Sequence, residues 1–126
     1  MLPCSSPPYR SLPLPTSGTW ARGRECQNLA APGMALGAFE GACLQEASAQ
    51  MHPGDLLLLY TDGITDARST AGEFFGVERL RSAACTAATL GAKGVCDAVF
   101  AHVSRFQAQR VQYDDMAVLV ARVATR

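Results

Sequence analysis

The chain is 126 residues long, enough for one domain at most and short enough to be part of one. Hydrophobic residues make up 48% of it and charged residues 17%, a balance that can bury a core and excludes wholesale disorder. The formal net charge of +0 excludes any general attraction to nucleic acid or to an anionic membrane surface.

Residues 1–35 differ in character from the rest. Pro3, Pro7, Pro8, Pro13 and Pro15 interrupt any helix, Ser and Gly fill much of the remainder, and no period of 2 or 3.6 emerges before Leu36. The expectation is an irregular lead-in, 1–35, followed by a domain over 36–126. Trp20, the chain's one tryptophan, lies in this lead-in. The N-terminus lacks the basic segment and apolar run of a secretory signal. The apolar run Leu56–Tyr60 is far short of the ~20 residues that cross a bilayer.

From Ala42 to Gln50 the pattern predicts a strand, closed by the turn signal His52-Pro53-Gly54. The run Leu56-Leu57-Leu58-Leu59-Tyr60, bounded by Gly54 and Gly63, predicts a strand buried on both faces. A loop with glycines at 63, 72 and 76 follows. Val77–Ala88 is rich in helix formers, with Leu80, Ala83, Ala84 and Ala87 on one face. Gly91 and Gly94 are expected to break it. A second helix is expected from about Val95 to Gln107, with Val95, Val99, Val103 and Phe106 facing the core and Asp97, His102 and Arg105 facing water. Met116–Val123 closes the chain as a strand. Strand, strand, helix, helix, strand is the order of an α+β fold with a helical pair packed on a sheet.

The cysteines at 4, 26, 43, 85 and 96 are odd in number, irregularly spaced and without a CxxC or a zinc-type Cys/His pair. They are expected to be buried, reduced thiols of a cytoplasmic protein, with Cys85 and Cys96 acting as small hydrophobes among alanines and valines.

Charge is unevenly spread. Between Gly54 and Gly76 stand Asp55, Asp62, Asp66 and Glu73 against one base, Arg68. Two carboxylate positions lie at strand ends: Asp62, just past the apolar run Leu56–Tyr60 and before Gly63, and the pair Asp114-Asp115 ahead of the last strand. A carboxylate held there by rigid backbone suits a hard divalent cation, which takes oxygen ligands of fixed geometry. Gly63 lets the backbone turn sharply beside it. Either motif alone reads equally as a turn or a strand-edge device.

The string Pro53-Gly54-Asp55-Leu56-Leu57-Leu58-Leu59-Tyr60-Thr61-Asp62-Gly63-Ile64-Thr65-Asp66-Ala67 resembles the "pGDlLllyTDGvtea" hallmark of metal-dependent PPM-type serine/threonine phosphatases, SpoIIE/RsbU branch. Glu73-Phe74-Phe75-Gly76 with Glu78-Arg79-Leu80 is similar to that branch's "EfFGeerL", Asp114-Asp115-Met116 and Val118-Leu119-Val120 to its closing "DDmTllv", and Ala35-Leu36-Gly37 to its "pLG". The likeness runs from about Gly33 to Val123 in consistent order. It implies the C-terminal part of an α/β/β/α sandwich. It also implies two Mn²⁺ or Mg²⁺ ions whose bridging water attacks a phosphoserine or phosphothreonine. Asp62 and Asp114 are then metal ligands in the catalytic site, Gly63 part of the metal loop, and Asp115 and Asp66 weaker candidates around the ions. The implied partner is a phosphorylated protein of the anti-sigma-factor antagonist type, with no nucleic acid and no membrane contact by the chain itself.

Two departures stand against this pattern. Ala117 occupies the position of the family's usual threonine, and nothing matches the upstream "GGDfyD" motif, since no aspartate precedes Asp55. The chain is therefore expected to be a truncated product, weakly active or inactive. The alternative is a non-catalytic interaction remnant of the same fold. A haloacid-dehalogenase reading fails because Tyr60 stands where its nucleophilic aspartate would be.

Overall fold

A computed structural model describes residues 17–22, 25–29, 40, 48–108 and 115–125. In chain order these form β1 (Ser17–Arg22), β2 (Glu25–Leu29), β3 (Leu56–Tyr60), a one-turn helix α1 (Asp62–Thr65), α2 (Gly76–Ala87), a 3₁₀ turn (Ala88–Leu90), α3 (Gly91–Gln107) and β4 (Val118–Arg122). The strands make one antiparallel sheet in the order β2-β1-β3-β4. The expected α+β arrangement, with an antiparallel sheet and a neighbouring helical pair, is what forms.

β3 sits between β1 and β4, in register from Ser17↔Tyr60 to Ala21↔Leu56 on one side and from Leu56↔Arg122 to Tyr60↔Val118 on the other. Its side chains alternate: Leu56, Leu58 and Tyr60 are buried, Leu57 and Leu59 half-buried. Burial on both faces, expected from the unbroken apolar run, is thus corrected to burial on one. The reason is that α2 and α3 cover a single face of the sheet. On β4 the same division leaves Val118 and Val120 against the core and Leu119 56% exposed.

The helices bury the stripes their spacing predicts. Leu80, Ala83, Ala84 and Ala87 of α2 and Val95, Val99 and Val103 of α3 are all buried, and Phe106 packs half-buried against the same cluster. Phe75 and Phe106 close the helical layer edge to face, ring centroids 5.4 Å apart. Asp97 lies on the exposed face, bonded to Lys93 one turn earlier.

Four further expectations are corrected. First, the lead-in is not irregular throughout, because residues 17–22 and 25–29 are strands. Trp20 is aligned in register with Gln27 on β2 and Leu57 on β3. Second, the segment after Asp62 begins as helix α1 rather than loop, closed by the Asp66 N–H donating to the Asp62 carbonyl at 2.7 Å. Third, Gly94 does not break a helix but lies within α3, where a Cβ would collide with that of Leu90. The break is made at Gly91 alone, whose φ of +78° is a left-handed conformation that glycine tolerates. Fourth, Cys85 is not a reduced thiol: it is joined to Cys26 in a disulfide tying β2 to α2, with Cα atoms 6.8 Å apart. Arg81 reinforces that junction, donating to the Cys26 carbonyl at 2.7 Å. Cys96 is free and half-buried. Of the expected strand Ala42–Gln50, residues 48–50 are extended chain without a ladder, and 42–47 lie outside the described residues. Among the described residues no helix is long and apolar enough to cross a membrane.

Candidate metal rim at the ends of β3 and β4

The site is built where β3 ends and β4 begins. Beyond the last ladder pair, Tyr60↔Val118, the Thr61 N–H donates to the Ala117 carbonyl at 3.1 Å. The Ala117 N–H in turn donates to Thr61 Oγ1 at 3.0 Å, and that hydroxyl donates to the Asp115 carbonyl at 3.3 Å. A side chain thus completes pairing that the strands have stopped making. A β-branched hydroxyl residue can do this because its stiff χ1 holds the oxygen over the neighbouring chain.

Asp62 follows directly, half-buried, as the first residue of α1. Gly63 and Ile64 are buried beneath it, Ile64 completely, so the turn carrying the carboxylate is pinned into the core. The Thr65 hydroxyl donates back to the Asp62 carbonyl at 3.3 Å, tightening that turn. Asp66 caps α1 and is exposed. Asp115 is exposed on the facing chain, its backbone held by Thr61. Asp114 lies outside the described residues. The rim therefore brings Asp62, Gly63 and Asp66 to one side and the Asp115 backbone to the other.

The acidic stretch read in the sequence does not stay together. Asp55 is at the far end of β3, about 23 Å of extended chain from Asp62 at ~3.3–3.4 Å per residue. It is buried there, with Oδ2 accepting the His52 N–H at 2.8 Å, and its backbone pairs with Val123. It is a turn anchor, not a member of the rim. Glu73 lies 3.5 Å from Arg79. Among the described residues no group of three or more His, Cys, Asp and Glu side chains comes together to hold a metal. His52 and His102 are surface residues, as expected.

Sequence reasoning missed Thr61, whose only signal was a hydroxyl residue at the end of an apolar run. It also missed that Arg79, His102 and Arg105 line one groove, because the two helices that bring them together are separate in sequence.

Residues 15–124 match the family model of stage II sporulation protein E (SpoIIE). Protein IcfG of Synechocystis sp. is 44% identical over 52 residues, which cover 41% of this chain and 8% of IcfG. The SiaA-PP2C domain of Pseudomonas aeruginosa superposes with a TM-score of 0.74 at 25% identity, over 85% of this chain and 42% of that one. The PP2C phosphatase domain of Bacillus subtilis SpoIIE, solved with a fragment of its regulatory domain, gives 0.72 at 22% identity, over 87% and 32%. The manganese-presoaked SpoIIE phosphatase domain gives 0.67 at 20% identity, over 89% and 48%. The chain thus spans less than half the length of these solved proteins.

Proposed function

Because this chain belongs to the stage II sporulation protein E family of PP2C-like phosphatase domains, we propose that it carries the C-terminal metal rim of a protein serine/threonine phosphatase. The observation that carries this reading is the Thr61 stitch, which ties the chain entering Asp62 to the chain leaving Asp115. Carboxylates placed that way are donors of the kind that Mn²⁺ or Mg²⁺ takes. Asp62 and Asp114 would hold the ion, with Asp115 and Asp66 around it and Gly63 leaving space for the turn.

When bound, a pair of such ions acidifies a water and clamps phosphate oxygens. The chain's own contribution is rigidity. Thr61 fixes the separation of the two strand ends, and Ile64 anchors the Asp62 turn. The substrate is a phosphoserine or phosphothreonine on a signalling protein, of the kind found in sigma-factor control.

Among the described residues few carboxylates stand at the rim. Most ligands of an ion held by those carboxylates alone would be water, and turnover by them is expected to be slow. Ala117, with no hydroxyl beside the rim, favours the second reading, a binding remnant that has left catalysis behind. A phosphate-release assay on a phosphoserine peptide with Mn²⁺ separates the two. Slow release that disappears in Asp62→Asn supports a phosphatase. Release equal in both proteins takes Asp62 out of the chemistry and leaves the remnant.

A further inference from the structure

Away from the carboxylates, the helical layer carries a second feature. Where α2 begins and α3 ends, a groove of about 420 Å³ opens between them. Its floor is apolar: Phe75 and Ala83 are buried there, and the half-buried Phe106 ring meets Phe75 edge on. Its walls are polar and basic, with Arg79 and Ser82 from α2 and His102 and Arg105 from α3. Among the described residues no acidic one lines it.

The two arginines differ in what they are free to do. Arg79 is committed: its guanidinium lies 4.6 Å over the Phe106 ring, donates to the Phe74 and Phe75 carbonyls, and stands 3.5 Å from Glu73. It shapes the groove and lends it positive charge. Arg105 makes a single long contact, Nε to the Ala101 carbonyl at 3.4 Å, and has no carboxylate partner among the described residues. His102, exposed one turn earlier on the same helix, has none either. The chain as a whole is neutral, so this concentration of cations is local rather than a general property of the surface.

We propose that this groove docks an acidic segment of a protein partner, with carboxylates on Arg105 and His102 and a bulky apolar side chain on the Phe75–Phe106 floor. A protein segment suits the groove because it offers both chemistries side by side. A free anion would leave the aromatic floor uncovered. The position suits a partner that also visits the metal rim: the Phe75 N–H donates to the carbonyl of Ala67, the residue after Asp66. Docking itself requires neither the metal nor catalysis.

The test is fluorescence anisotropy on the full chain without added metal. The probe is a synthetic peptide rich in Asp and Glu around one Phe. It is compared with the same peptide carrying Asn and Gln, and with an oligonucleotide of equal charge. The acidic peptide is expected to bind, to weaken with added salt, and to weaken about tenfold with Arg105→Glu combined with His102→Glu, as for reversal of one exposed charge contact and loss of the neighbouring imidazole hydrogen bond. Lys93→Glu, a charge reversal elsewhere on α3, should leave binding unchanged. If the double variant unfolds by circular dichroism, Arg105→Gln is the replacement, with an expected loss of a few-fold. A neutral peptide that binds equally well, an oligonucleotide that binds better, or a folded variant with unchanged affinity would overturn the proposal.

Discussion

Thr61 and Ala117 are joined twice, once by the Thr61 N–H to the Ala117 carbonyl at 3.1 Å and once by the Ala117 N–H to the Thr61 hydroxyl at 3.0 Å. Only the second depends on a side chain, so it can be removed alone. Thr61→Val keeps the shape and deletes the oxygen, leaving the Ala117 N–H without its acceptor. Urea unfolding should show a loss of about 1 kcal/mol, the net worth of an ordinary hydrogen bond. Thr61→Ser should lose less. A valine variant as stable as the parent would mean that the strand ends are held by the ladder alone.

Val99 is fully buried on the inner face of α3. Val99→Asp would place an unpaired charge among Leu80, Val95 and Val103, which costs several kcal/mol or unfolds the chain. Thermal unfolding measures this. A change within the ~0.5 kcal/mol typical of surface positions would contradict the assignment of that face.

Gly94 should respond against the usual rule. Alanine for glycine inside a helix ordinarily stabilises by roughly 0.5–1 kcal/mol. Here the new Cβ meets the Cβ of Leu90, the root of that side chain rather than its movable end. Gly94→Ala is therefore expected to lower the melting temperature. A rise would show that the 3₁₀ turn is free to shift.

The Cys26–Cys85 disulfide closes a loop between residues 59 positions apart. Constraining an unfolded chain over that length stabilises by about 4 kcal/mol in the loop-entropy estimate. Cys26→Ser should therefore unfold earlier than the parent without reductant, and the two should converge when a reductant is added. A parent chain whose unfolding ignores the reductant would contradict the tether.

Much of this architecture is legible in the residues themselves. Local period and punctuation suffice for β3, α2, α3 and β4: five apolar residues between glycines, alanines and valines at helical spacing, and a closing alternation. β1 and β2 carry no such signal. Ser17–Arg22 and Glu25–Leu29 mix charged, polar and small residues, and they become strands by pairing with β3 far along the chain. The disulfide was hidden for the same reason, since Cys26 could not be placed before β2 was. The acidic cluster misled because adjacency in sequence is not adjacency in space when a strand intervenes. Asp55 and Asp62 are separated by the whole of β3. At the rim, the motif pointed to Asp62 and the Asp115 segment, while the hydroxyl that joins them became visible only with the strand pairing in place.

The central claim is that Asp62 holds a divalent cation at the joined ends of β3 and β4, and calorimetric titration of the chain with Mn²⁺ tests it most directly. The parent should release heat with a weak, saturable isotherm. Asp62→Asn should abolish it, Thr61→Val should weaken it, and Asp55→Asn, at the far end of the strand, should retain binding wherever the variant remains folded. Isotherms that superimpose for the parent and Asp62→Asn would contradict the claim.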